Sequence, residues 1–223
     1  LGSNKDTSDR AADYEILVAR LAHCADFLTA NVSSPNTPGL RSMQNRAQFD
    51  DLLARVVAGR DAVCAGGRRT PVLVKIAPDL TDADLDDVTD VALKRGIDGM
   101  IVSNTTISRP ESLRETALAK ETGGLSGRPL FRLSTQVLAK VALRTEGRLP
   151  LIGVGGVDSG EAALMKIRAG ATLVQLYTAL VYHGPGLIDD IKRHLATTVR
   201  KGGHTSLAPL IGSAAKEIAA GAF

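Results

Sequence analysis

The sequence predicts an α/β protein, a (β/α)8 TIM barrel of which about five strands are recognisable here. Three observations carry that expectation. Short, nearly continuous apolar runs recur along the chain, as strands buried on both faces require. Helical patterns fall between them, which implies parallel strands joined by right-handed crossovers. Polar residues gather at the C-terminal ends of the runs, at Asn31, Lys75, Asn104 and Thr178, where a barrel assembles its active site. An open doubly wound sheet also fits the alternation, and the polar strand ends favour the barrel. A closed barrel needs eight strands, and the chain does not open on Met. Either three strands are irregular or residues 1–223 are part of one barrel domain, and the opening favours the second; no linker or low-complexity segment marks a second domain.

The expected strands are "FLTANV" (27–32), "PVLVKIA" (71–77), "GMIVSN" (99–104), "PLIGVGG" (150–156) and "TLVQLYT" (172–178). The clearest helix is "TDADLDDVTDVALKRG". Thr81 can cap it, Asp84 sits three residues on, and Gly96 ends it. Leu85, Val88, Val91 and Ala92 form its apolar stripe. "SGEAALMKIRAG", from Ser159 to Gly170, repeats the scheme. Other helices are expected over 9–25, 46–65, 129–145 and 185–201, with a last one near 208–220.

Composition excludes several classes. The 27 basic and 24 acidic residues are interspersed, so no nucleic-acid stripe stands out. Aromatic residues are 3% and Trp is absent, which removes base-stacking platforms. Cys24 and Cys64, each on an expected helix, make neither a metal spacing nor a disulfide framework. No run of 18 apolar residues is present, and no signal peptide is visible.

The strand ends carry the chemistry. "NVSSPNTPGL" (31–40) sets Asn31, Ser34, Asn36 and Thr37 after an apolar run, without a charge. Such a loop either satisfies its own backbone or hydrogen-bonds a planar polar ligand and places Ser34 against it. No His lies nearby to build a triad. Lys75 is flanked by Val74 and Ile76, and a buried ammonium is costly unless it is paired or used. It suits a Schiff-base nucleophile or a fixed charge beside an electron-rich cofactor ring. "VSNTT" adds Ser103, Asn104 and Thr105. "GVGG" (153–156) and "LYT" (176–178) on the last two strands, with Gly127 before them, suit a phosphate held by backbone N–H groups.

The motifs "NVSSPNTPGL", "VKIAPDL", "SNTT", "TGGLSGRPL", "LIGVGGVDSGEAA" and "GATLVQLYTAL" come in an order and spacing that resembles the dihydroorotate dehydrogenase family, in its membrane-associated, quinone-dependent class. The resemblance runs almost end to end. It implies an FMN-dependent barrel that oxidises dihydroorotate to orotate in pyrimidine synthesis and passes the electrons to a quinone. By the resemblance, Ser34 is the base that takes the C5 proton while a hydride leaves C6 for the flavin. Asn31, Asn36, Asn104 and Thr105 bind the substrate, and Asn31 also lies near the flavin. Lys75 lies by the isoalloxazine ring. Ser103, Gly127, Gly156, Tyr177 and Thr178 contact FMN, the last three at or near its phosphate. Thr37 is a candidate proton relay. The family has more chain upstream, with the first strands, further substrate and flavin groups, and amphipathic helices that touch the membrane and admit the quinone, so the resemblance implies that residues 1–223 are the C-terminal part of a single FMN-binding (β/α)8 barrel domain, roughly its last five βα units. The parent is thus expected at the cytoplasmic face of the cell membrane, with no metal and no nucleic-acid partner. The competing readings are a Schiff-base aldolase barrel using Lys75 and an inactive barrel fragment.

Overall fold

The structure is a computed structural model that describes residues 1–3, 7–37, 39–115 and 117–223, so Pro38 of the polar loop lies outside it. Among these residues one sheet runs through β1 (Leu28–Asn31), β2 (Val72–Ile76), β3 (Gly99–Val102), β4 (Leu151–Val154) and β5 (Leu173–Gln175). Spatial order follows chain order, and every pair is parallel. This decides between the two architectures. A doubly wound sheet reverses its strand order at a switch point, which sends helices to both faces. An unreversed order with crossovers of one hand stacks the helices on one face and curls the sheet.

The two faces differ accordingly. Val72, Val74 and Ile76 point into the main core, beneath α2 (Arg46–Val63), α3 (Asp82–Arg95) and α4 (Phe131–Thr145). Leu73, Ile101 and Ile152 form a separate small cluster with Val154 on the concave face. Side chains alternate along a strand, so Lys75 shares the concave face with Leu73. Register then sets Asn31, Lys75 and Ile101 at one level.

Local chemistry explains most boundaries. Thr81 and Asp84 form a reciprocal capping box on α3, and Gly96 closes it at φ 63°. Asn45 caps α2 through the Ala47 N–H, and Ser159 caps α5 (Gly160–Arg168) through the Ala162 N–H. Three expectations need correction. The first helix, α1 (Arg10–Leu21), stops short of residue 25, and Cys24 lies in the turn after it. The run 172–178 is not one strand. It ends at Gln175, and α6 (Thr178–His183) begins within it, because Ala179 packs with Leu187 and Ile191 of α7 (Gly186–Lys201). Short apolar runs do not distinguish strand from helix by periodicity. The helix near 208–220 is a 3-10 turn at Ala208–Leu210 followed by α8 (Ala215–Ala219), with Gly212 at φ 72° between them.

The helix layer is what carries stability. Leu138 of α4 is fully buried in the main core. Leu138→Ala is expected to lower the unfolding free energy by about 2–5 kcal/mol, read by denaturant titration. A change well under 1 kcal/mol, roughly that of an exposed site, would mean that α4 does not seat on the sheet.

Candidate active site

All five strands deliver polar groups to the same end of the sheet. A cavity of about 860 Å³ opens there. Its wall takes Lys75, Ser103, Asn104 and Thr105 from the ends of β2 and β3. Gly127, Gly156, Tyr177 and Thr178 come from the following loops. The structure therefore brings these sequence-predicted residues together. Asn31, Ser34 and Asn36 are not in this wall. Asn31 joins it through Asn104, whose Nδ2 donates to Asn31 Oδ1 at 3.2 Å. Ser34 Oγ accepts the Asn36 N–H at 3.3 Å, so these two share the flanking loop. Thr37 accepts the Leu40 N–H at its carbonyl, 3.1 Å away.

Ser33 and Ser34 divide the labour of the serine pair. Ser33 is buried, and its hydroxyl lies 2.8 Å from the Lys75 carbonyl and 3.0 Å from Asn31 Oδ1. Asn104 Nδ2 donates back to Ser33 Oγ at 3.0 Å. That hydroxyl proton is committed to the scaffold. Ser34 is half-buried, and among the described residues it accepts only a backbone N–H and its own proton has no acceptor. Asn31 takes hydrogen bonds at Oδ1 from both Ser33 and Asn104, which leaves its Nδ2 available to a ligand. Asn104 is more occupied, since its Oδ1 also accepts the Thr105 N–H at 2.8 Å.

Lys75 projects from the concave face into the cavity. Burial pushes its ammonium below the ordinary lysine value. Among the described residues no carboxylate pairs with it. A half-buried cation without such a partner is costly, a cost that an electron-rich ligand would offset.

The glycine turn after β4 has the shape of an anion cradle. Gly156 stands at φ 72°. A Cβ there would meet Phe131 Cβ at 2.5 Å and its backbone N at 2.8 Å, at the start of α4. Among the described residues the Gly156 N–H has no backbone acceptor. The turn can pack this closely on the start of α4 only without a side chain, and a backbone N–H so placed suits an anion. A second close approach occurs in the loop between β3 and α4. A Cβ at Gly124 would fall 1.9 Å from Thr105 Oγ1 and 2.9 Å from Pro35 Cγ. A bridge between Thr106 and Leu125 holds that loop against the site.

Sequence reasoning missed the group that ties the loops together. Arg41 donates to the Ser33 carbonyl at 3.2 Å, to Asp79 Oδ2 at 2.8 Å and to the Thr105 carbonyl at 2.9 Å. Asp79 in turn accepts from Thr106 Oγ1, from Ser108 Oγ at 3.1 Å and from the Ile107 N–H at 3.3 Å. The loops after β1, β2 and β3 thus share one ion pair. Tyr182 and His183 of α6 also line the cavity. Residues 179–184 are assigned to no element by the sequence reading, which places a strand over 172–178 and the next helix from 185, so it does not bring them to the cavity.

Residues 1–199 match the sequence profile of the family described as Dihydroorotate dehydrogenase. Two curated proteins described as dihydroorotate dehydrogenase (quinone) are close in sequence. That of Bradyrhizobium sp. (strain ORS 278) is 57% identical and that of Rhodopseudomonas palustris (strain HaA2) 58%, each over 220 residues. Both alignments cover 99% of this chain and 60% of the relative, so the chain spans about 60% of the length of the curated relatives it matches. Crystal structures of DHODH from Eimeria tenella, in complex with ferulenol and ligand-free, superpose with TM-score 0.89 at 40% identity. They cover 95% of this chain, and 60% and 62% of their own.

Proposed function

Because the chain belongs to the dihydroorotate dehydrogenase family, we propose that it is the C-terminal part of an FMN-binding barrel that oxidises dihydroorotate to orotate, with a quinone as electron acceptor, in pyrimidine synthesis. The observation that carries the reading is the pairing, in one cavity, of unpaired Lys75 with the Gly155–Gly156 cradle. One suits an electron-rich ring and the other a phosphate, which are the two ends of FMN.

The residues present fit that cofactor. Gly156, Tyr177 and Thr178 would hold its phosphate, and Gly127 and Ser103 would contact its body. Lys75 would lie by the ring and stabilise negative charge there. When bound, FMN supplies the hydride acceptor. The chain supplies the rest. Ser34 takes the C5 proton while its own hydroxyl proton passes on toward solvent, with Thr37 as the candidate relay, and that hydroxyl can turn to do so because it is not committed to the scaffold among the described residues. Asn31 and Asn36 offer amide donors to the substrate's carbonyl and carboxylate edges, and Thr105 adds a hydroxyl. Asn104 touches the substrate and keeps Asn31 turned toward it. Arg41 and Asp79 keep the Ser34 loop registered against Thr105.

Among the described residues no helix is long and apolar enough to cross a membrane. On this reading, quinone entry and contact with the membrane surface, at its cytoplasmic face, belong to the part of the relatives' length that this chain does not span. The test is dihydroorotate-dependent reduction of a quinone by the full-length polypeptide that carries this chain, together with its visible spectrum. Flavin absorbance with turnover supports the reading. A colourless protein with a borohydride-trappable imine at Lys75 would replace it with aldolase chemistry.

The cradle makes a separate prediction. Gly156→Val would drive its side chain into Phe131 in a backbone conformation that suits glycine. FMN occupancy of the purified full-length variant is expected to fall to a small fraction of wild type. Full occupancy would remove the phosphate from this turn.

A further inference from the structure

Lys166 lies on α5 and is 0% exposed. It occupies the inward face of that helix, beside Ala162, Ala163 and Ile167. Burial drives its ammonium well below the ordinary lysine value, and among the described residues no carboxylate pairs with it. A cation in such a place is costly. A methionine of similar length would fill the space without that cost. Lys166 does not line the cavity, so the reading above makes no use of it.

Its contacts converge on the back of the glycine turn. Nζ donates to Ser134 Oγ at 2.6 Å and to the Val154 carbonyl at 3.3 Å, and it stands 5.2 Å from the Phe131 ring centroid. Ser134 Oγ lies 3.1 Å from the Gly155 carbonyl and 3.1 Å from the Phe131 carbonyl. Having accepted from Lys166, Ser134 has its one proton for those carbonyls. The Val154 and Gly155 carbonyls are thus both engaged from the helix layer. With them turned that way, the Gly156 N–H stays free of backbone acceptors. A Cβ on Gly155 would sit 2.6 Å from Ser134 Oγ, so the turn rests directly on this relay.

We propose that Lys166 is a positioning residue. Through Ser134 and the Val154 carbonyl it fixes the Gly155–Gly156 turn in the orientation that receives the phosphate of the cofactor, and it does nothing for the flavin ring. The proposal rests on the flavin reading.

The experiment compares FMN with riboflavin, which lacks the phosphate, by fluorescence titration of the flavin-stripped full-length protein. Lys166→Met is expected to weaken FMN binding about tenfold or more, the effect of losing a charge-assisted hydrogen bond. Riboflavin binding is expected to stay within about twofold, and thermal stability to hold or rise, because a buried charge has gone. Ser134→Ala should show the same selectivity with less volume change, and it carries the test if Lys166→Met does not fold. Equal weakening of both flavins, or unchanged FMN binding, in a folded variant would overturn the positioning role alone. A wild-type protein that binds neither flavin would overturn the flavin reading as well.

Discussion

In the full-length protein, Ser34→Ala slows reduction of the flavin by dihydroorotate about 10²–10⁴-fold, the usual loss when a general base is removed. Stopped-flow absorbance of the flavin under single turnover reads the step directly. The expectation follows from the division between the two serines. Ser33 donates its proton to a buried carbonyl or to Asn31, both fixed parts of the scaffold. Moving that proton would break the network that orients Asn31 and Asn104. Ser34 has no such obligation. FMN binding should be unchanged in Ser34→Ala, because Ser34 is outside the cavity wall. Ser34→Cys should retain more activity than Ser34→Ala, since a thiol can still take a proton. Ser33→Ala should behave differently, weakening substrate binding through Asn31 and Asn104 as well as slowing the reaction. A Ser34→Ala enzyme that reduces its flavin at the wild-type rate would move the base elsewhere.

The serine pair also shows what could be read from the sequence. Ser34 was picked by its place in a motif, and neither composition nor periodicity separates it from Ser33. Their difference lies in bonds to Lys75 and Asn104, residues 42 and 71 positions away from Ser33. Strands were legible because a parallel strand buried on both faces must be apolar throughout, as Val72, Leu73 and Val74 are. Lys75 was legible for the same reason, as the charge that breaks such a run. The α3 boundaries were legible because capping is local chemistry. Arg41, Asp79 and Lys166 were not. Each sits among residues with no local signal, and each acts across the fold. Arg41 looks like any loop arginine until three loops close on it. Lys166 sits in a helix that reads as capped and amphipathic, and only the packed structure turns it inward.

Expressed alone, the 223-residue chain is expected to show no turnover of dihydroorotate with a quinone, and the full-length polypeptide to restore it. The sheet itself supplies the reasons. Its order runs from β1 to β5 without closing. At one end Leu173 of β5 is 61% exposed, and beside it Tyr177 is 83% exposed at the cavity wall. At the other end, the outer side of β1 is met by Leu1 through the bond from the Asn31 N–H to the Leu1 carbonyl. The concave cluster of Leu73, Ile101 and Ile152 is a thin layer, where a closed barrel packs side chains from all eight strands. Lys75 and Asn31 stand on that face, so whatever completes it also sets their positions. Proton and hydride transfer need reacting atoms within about 3–3.5 Å, and a wall left open beyond β5 does not hold them there. An unpaired edge at β5 also invites association, so the isolated chain should elute as oligomers in size exclusion. A steady-state assay on the two polypeptides at equal flavin loading decides the matter. If the chain alone matched the full-length rate, the five strands would have to complete a working site by themselves. The open edge at β5 would then not be a barrel seam at all.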